Sequence, residues 1–169
     1  MVPPDPSRPP QFAALNFIDA IWNQGSLSDA WPHTDPSLRL CLAQMWLMPM
    51  RQRALDDGYS PDEVVAALAG DNPVHPLWPD FQRSMVRNLR SWGELGNEDL
   101  FSFGTVDRPE GVDTEVLHLY PASEIVDGAV PPGGAAEHVF LMAYRDHRWR
   151  VLNLSSSVVP EPGWPPKLR

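Results

Sequence analysis

The sequence contains two histidines, His118 and His138, whose type and placement come nearest to a reactive pair. Both lie in segments with the alternating apolar pattern of β-strands, and we expect these strands to be neighbours. Two imidazole rings can bind a metal ion or transfer protons when a third ligand or an adjacent acid completes the group. Because a long segment separates the strands, their register is open. The two rings either meet or remain separate.

Asp19 is the second candidate for chemistry. Together with Asn16 and Asn23 it forms a polar stripe on one side of a predicted helix, whose other sides are apolar. The stripe either faces a cavity or forms the edge of the helix that meets solvent. Inside a cavity, the carboxyl group of Asp19 is a candidate acid or base.

The third candidate is one face of the last predicted hairpin. A two-residue turn at Asp146 and His147 would pair Tyr144 with Trp149, Met142 with Val151, Phe140 with Asn153 and His138 with Ser155. The resulting face mixes aromatic, apolar and polar side chains, so it either lines a ligand pocket or is ordinary core. The candidate ligand-pocket residues are therefore Phe140, Met142, Tyr144, Trp149, Asn153, His118 and Asp19.

Arginines form a stripe on another predicted helix. Arg83, Arg87 and Arg90 line up opposite its apolar residues. This arrangement can hold an anion, although a solvated surface is the commoner outcome. The sequence has no phosphate-binding glycine loop, nucleophile elbow or zinc-protease helix. Its five histidines, one cysteine and 22 acids show no metal-ligand spacing. We expect neither a metal ion nor an organic cofactor, and the catalytic residues of any reaction are unknown.

Composition restricts the partners and the compartment. The net charge of −9 repels phosphate backbones and anionic lipid, so we expect no nucleic-acid or membrane partner. The lone cysteine, Cys41, cannot form an intramolecular disulfide. The sequence shows neither a secretory signal nor the roughly 18 consecutive apolar residues of a membrane span. These features predict a cytoplasmic protein.

The first half of the chain carries helical start and stop signals. A helix is predicted at 10–23, with Gly25 as its stop, and a helical turn at 26–31. The next helix is capped by Asp35, and Pro49 kinks or ends it. A last helical turn or two is predicted before Gly58. The predicted helices continue with a capping box at 60–63 that opens a helix closed by Gly70, and a helix from Asp80 to Trp92.

The second half changes to a period of two residues, which indicates strands. They are predicted at 99–107, 113–121, 136–145 and 148–155, with connecting loops at 108–112 and 122–135. Helices followed by strands predict an α+β fold in which N-terminal helices pack on a C-terminal antiparallel sheet. Residues 1–9 are predicted to be an extended arm, 10–157 the single domain and 158–169 a proline-rich tail.

Two segments carry a family resemblance. Residues 14–31 read ALNFIDAIWNQGSLSDAW and resemble the first helices of the nuclear-transport-factor-2-like superfamily, and residues 139–152 read VFLMAYRDHRWRVL and resemble its last hairpin. The superfamily comprises cone-shaped α+β domains, polyketide cyclases and ketosteroid isomerases among them. The resemblance implies a curved sheet with a pocket between sheet and helices. It transfers no active site, because none of the superfamily's catalytic acids or histidines aligns with a motif here.

The leading functional hypothesis is a non-catalytic domain that binds a small apolar ligand or a protein partner. The alternative is a cofactor-independent isomerase, cyclase or dehydratase that uses a pocket acid or histidine. Both faces of the predicted hairpin are apolar, and a monomer rarely leaves two such faces in water. We therefore also expect a homodimer that forms through the sheet.

Overall fold

The computed structural model describes residues 10–93, 95, 100–105, 113–154 and 157–169, with the backbone alone for 100–105. The predicted arm at 1–9 and the predicted loop at 108–112 lie outside the described residues. Helices come first along the chain and strands follow, and neighbouring strands are antiparallel. The α+β prediction is confirmed. No described helix has the length and apolar character needed to cross a lipid bilayer.

The described helices occupy the first half of the chain. They are α1 at Pro10–Ile18, α2 at Leu27–Ala30, α3 at Pro36–Leu47, α4 at Arg51–Asp56, α5 at Pro61–Ala69 and α6 at Trp78–Arg90. Short 3-10 turns at Trp31–His33 and Met48–Met50 join α2 to α3 and α3 to α4. Asp35 caps α3 as predicted, because its carboxylate accepts a hydrogen bond from the Ser37 amide at 2.9 Å.

The first helix continues past α1 as a π-helix at Asp19–Gln24 and ends at Gly25, the predicted stop. Gly25 has φ of 67°, a left-handed conformation that glycine adopts without strain. Arg90 supports this end, since its guanidinium group donates to the carbonyl oxygens of Ile21 at 2.8 Å and Trp22 at 2.9 Å. The wider π turn gives no signal in the apolar pattern, so it cannot be predicted from the sequence.

The cap predicted for α5 and the start predicted for α6 need correction, whereas α5 begins at Pro61 as predicted. Ser60 precedes α5, but its side chain makes no capping hydrogen bond, so the predicted capping box is not formed. α6 begins at Trp78, two residues before the predicted cap Asp80, because Pro79 suits the first turn of a helix. Asp80 instead forms an ion pair with Arg83, with 3.2 Å between Oδ1 and Nη1.

The described sheet has four strands in chain order. They are β1 at Leu100–Thr105, β2 at Thr114–Pro121, β3 at His138–Arg145 and β4 at Arg148–Leu154. The last turn is the predicted one, with positive φ at both Asp146 and His147.

The register of the last hairpin confirms two predicted pairs and overturns a third. Tyr144 pairs with Trp149 and Met142 with Val151. A β-bulge beyond these pairs makes Phe140 pair with Leu154, so the predicted pairing of Phe140 with Asn153 is wrong. The predicted partner of His138, Ser155, lies outside the described residues.

The main core lies between the helices and one face of the sheet, which we call the inner face. Phe17 of α1 packs edge-on against Phe140 of β3, with 6.2 Å between the ring centroids. The opposite, outer face carries a small apolar cluster that comprises Val116, Leu141, Ala143 and Leu152, with Val159 packed against it. These four residues are already buried within the single chain.

The end of the chain is docked on the helices. The indole nitrogen of Trp164 donates to the Asp62 carboxylate at 2.9 Å, and its ring lies 4.8 Å from the guanidinium carbon of Arg51. The Gly163 amide donates to the side chain of Gln44 at 2.9 Å. Backbone hydrogen bonds also join Glu161 and Lys167 within the tail. The tail at 158–169 therefore covers part of α3, α4 and α5.

Candidate functional site

A cleft of about 420 Å³ lies between α4 and the middle of α6, and we call it the α4–α6 cleft. Its lining residues are Trp46, Leu47, Met50, Arg53, Ala54, Asp57, Tyr59, Leu77, Asp80, Arg83, Ser84 and Arg87. One concave surface thus brings together residues of α3, α4 and α6 and of the turns before and after α4.

The proline at position 49 explains why a cleft forms here. A proline cannot continue a regular helix, and the chain turns through Met48–Met50 before α4 begins. α4 is short and ends at Asp56, and Gly58, with φ of 83°, lets the chain turn back. The Tyr59 amide closes this turn by donating to the Ala54 carbonyl at 2.8 Å. α4 therefore stands beside α6 and leaves a gap between them.

The floor of the cleft is apolar and fixed by the core. Trp46 packs edge-on against Phe81 of α6, with 5.4 Å between ring centroids. Leu47 and Ala54 are buried, whereas Met50 is 37% exposed at the rim. A rigid aromatic and aliphatic floor of this kind favours the binding of an apolar group.

The walls of the cleft carry charged side chains. Arg53 lies 3.8 Å from the Asp57 carboxylate, and Arg83 lies 3.2 Å from Asp80. The guanidinium group of Arg87 makes no hydrogen bond or ion pair within the part of the chain that the structure describes. The site thus combines an apolar floor with one guanidinium group that has no partner among the described residues.

A second cleft, of about 570 Å³, lies on the other side of α6. Gly25, Gln82 and Val86 line it, together with the stripe of Arg83, Arg87 and Arg90. The guanidinium group of Arg90 donates to carbonyl groups at the end of the π-helix, so this arginine stabilises the fold. Arg83 and Arg87 line both clefts, which places the predicted arginine stripe on the ridge between them.

Two predicted pocket residues belong to the main core. Phe140 is 3% exposed and Met142 is fully buried, and both pack with the helices on the inner face. Neither residue lines the two clefts described above. Tyr144 and Trp149 continue this face toward the turn, where their rings pack 5.3 Å apart and stay half-buried.

Asn153 has a structural role that the sequence analysis did not predict. The side chain is 2% exposed. Its amide nitrogen donates to the carbonyl oxygens of Val158 at 2.7 Å and Leu168 at 2.9 Å. Asn153 therefore holds the tail against β4. The β-bulge explains why Asn153 does not share a face with the aromatic residues of the predicted pocket.

The two histidines of the predicted pair lie on opposite faces of the sheet. His118 pairs with Val139, and Leu119 pairs with His138, so β2 and β3 are neighbours as predicted. Because paired residues share a face and successive residues alternate, the offset of one residue separates the rings. Among the described residues, no group of three or more histidine, cysteine or acidic side chains could hold a metal ion.

His118 has an acidic partner that sequence reasoning missed. Its Nδ1 lies 2.5 Å from the Glu137 carboxylate, to which the Tyr120 hydroxyl also donates at 2.8 Å. These hydrogen bonds, first that of Tyr120 and then that of His118, lower the pKa of Glu137. The same carboxylate raises the pKa of Tyr120. Glu137 stands one residue before β3, and the register that brings it beside β2 is not readable from the sequence.

Asp19 lies on the solvent edge of its helix. Its carboxylate accepts hydrogen bonds from Asn23 at 2.8 Å and Gln24 at 2.5 Å, and all three side chains are exposed. The polar stripe thus stabilises the end of the π-helix. Asp19 lines neither of the two described clefts.

Comparison of the chain with protein-family models, with curated proteins and with solved structures gave no match. The fold and the α4–α6 cleft therefore define only a class: an α+β domain with a surface cleft that has an apolar floor and charged walls.

Proposed function

We propose that this protein is a non-catalytic binding domain that holds a small, largely apolar ligand in the α4–α6 cleft. The observation that carries the proposal is the apolar floor of Trp46, Leu47 and Ala54 within a cleft of about 420 Å³. Sites for small molecules have volumes of roughly 300–1,000 Å³ and mix apolar walls with a few polar groups. The floor is built from core residues, so the site is formed before the ligand arrives.

The proposal is tested by filling the cleft from α6. Ser84 is half-buried and lines the cleft, whereas Asn88 is exposed on the same helix and lines neither described cleft. Ser84→Trp should abolish the binding of decanol, a neutral apolar probe, in calorimetric titration. Asn88→Trp adds the same ring elsewhere on α6 and should leave binding unchanged. Equal binding of decanol by both variants would refute the site.

A second candidate function rests on the contact of His118 with Glu137. A carboxylate on Nδ1 orients an imidazole ring and leaves Nε2 to accept or donate a proton. This arrangement favours a cofactor-independent isomerase, cyclase or dehydratase, with His118 as the base. Replacement by Glu137→Gln would then reduce turnover of a ketone substrate and change its pH profile, while decanol binding at the α4–α6 cleft would stay the same.

We also propose a superfamily, a cellular location and an oligomeric state. The resemblance of residues 14–31 and 139–152 supports membership of the nuclear-transport-factor-2-like superfamily and a cone-shaped arrangement. The single cysteine, which leaves no intramolecular disulfide, supports a cytoplasmic location. A homodimer through the outer face would use the half-buried Val139, since the apolar cluster beside it is buried already. Sedimentation at micromolar concentration that gives a single 18.9 kDa species would exclude the dimer.

A further inference from the structure

We infer that the ligand of the α4–α6 cleft is an amphipathic monoanion, namely a carboxylate on an apolar body, whose charged group binds Arg87. This inference rests on the proposed function, because it names the class of ligand for the same site. It is carried by the balance of charges around the cleft and by the place of Arg87, the cleft arginine whose guanidinium group has no partner among the described residues.

The cleft has one positive charge in excess. Three guanidinium groups and two carboxylates line it, and they are the charged side chains that the described part of the chain brings to the cleft. The two carboxylates are matched, since Asp57 lies beside Arg53 and Asp80 beside Arg83. The whole chain carries a charge of −9, so a local excess of positive charge is a property of this site and not of the surface in general. One excess charge matches one carboxylate.

Arg87 is the group that supplies this excess. It lies one turn beyond Arg83 on α6. Its guanidinium group has no hydrogen-bond or ion-pair partner among the residues that the structure describes. A guanidinium group can donate two parallel hydrogen bonds to one carboxylate, which fixes the orientation of the bound acid. A ligand whose charged end binds Arg87 can extend its apolar body over Trp46 and Leu47 on the floor.

The nearby acids restrict the charge of the ligand. Asp57 and Asp80 also line the cleft, and they would repel a second negative charge. A phosphate monoester, which carries nearly two charges at neutral pH, therefore fits less well than a carboxylate. A primary amine would lose the contact with Arg87 and gain only carboxylates that already have arginine partners.

The experiment compares three probes that share one apolar chain: decanoate, decanol and decylamine. We expect the wild-type protein to bind decanoate about ten-fold more tightly than decanol, and decylamine no more tightly than decanol, in calorimetric titration below micellar concentrations. Arg87→Met keeps an apolar stem and removes the charge, so it should abolish the preference for decanoate over decanol. Arg148→Met, which removes an exposed arginine that lines neither cleft, should keep the preference.

Failure of this inference can be told apart from failure of the proposed function. If decanol binds and Ser84→Trp abolishes its binding, but decanoate binds no better, the binding site stands and the monoanion inference is wrong. A preference for decanoate that survives in Arg87→Met also overturns the inference. If none of the three probes binds to the wild-type protein, both proposals fall. Arg87 is exposed, so its variant should fold, and circular dichroism checks this.

Discussion

Arg83 and Arg87 lie one helical turn apart on α6 and line the same cleft, yet in the described part of the chain only Arg83 has an acidic partner, Asp80, at 3.2 Å. The two arginines therefore differ in their electrostatic environment. Asp80 on the same helix neutralises Arg83, whereas the charge of Arg87 is not balanced by a described carboxylate. This difference makes the electrostatics of the cleft open to test by single substitutions.

Asp80→Asn should tighten the binding of decanoate by several-fold. The substitution removes a negative charge from the wall of the cleft and frees Arg83 to bind the anion. The gain should shrink as the salt concentration rises, because the side chains are exposed and their interaction is screened. The control is Asp56→Asn, which removes an equal charge from a residue that lines neither described cleft. Equal gains in both variants would contradict a local effect.

Trp164→Ala should lower the free energy of unfolding by about 2 kcal/mol, as expected for a half-buried aromatic ring that also stacks on a cation. The ring contacts Arg51, and its indole nitrogen donates to Asp62. Trp164→Phe keeps the stacking and loses the hydrogen bond, so it should cost roughly half as much. Urea denaturation measures both values. Wild-type stability of Trp164→Ala would show that the tail does not dock in solution.

Asn153→Ala should destabilise the protein by roughly 1–3 kcal/mol, because two carbonyl groups of the tail lose their buried donor. Removal of residues 160–169 eliminates one of these carbonyl groups, that of Leu168. The Asn153 substitution should therefore cost less in the shortened chain than in the full chain. Equal costs in the two backgrounds, measured by urea denaturation, would show that the contact with Leu168 contributes nothing.

The sequence predicted the order of elements well because their signals are local. Asp35 with Pro36 marks a helix start, Gly25 a helix stop and Asp146 with His147 a tight turn, and each signal works within a few residues. A local signal was misleading at Ser60. Its neighbours fit a capping box, but the Ser60 side chain makes no capping hydrogen bond.

The candidate site was predicted poorly because it depends on register and on packing. One β-bulge moved Asn153 away from the aromatic residues, and a one-residue offset separated His118 from His138. Neither feature leaves a trace in the alternation of apolar residues. The arginine stripe was visible in the sequence, but the cleft beside it arises from the turn at Met48–Met50. The sequence predicts that Pro49 kinks or ends the helix there, but the space that the turn opens cannot be read from residue types.

The stability of the protein should fall as the pH rises from about 9 to about 11, with Cys41 as one cause. The thiol is fully buried, and burial, aided by Glu161, raises its pKa from 9.0 to about 11. The unfolded chain therefore loses this proton at lower pH than the folded chain does, and ionisation favours unfolding within that window. Cys41→Ala should show a smaller decline of the unfolding free energy over the same window. Parallel pH curves for the two proteins would exclude Cys41 as a cause.

The most direct test of the proposed site is a map of amide chemical-shift changes in ¹H–¹⁵N spectra during titration with decanoate. The binding of an amphipathic carboxylate in the α4–α6 cleft should concentrate the changes at Leu47, Ala54, Leu77 and Ser84 on the floor and walls, and at Arg87. The amides around His118 and Tyr120 on the outer face should stay unchanged. Changes confined to the outer face, or spread evenly over the chain, would contradict a binding site between α4 and α6.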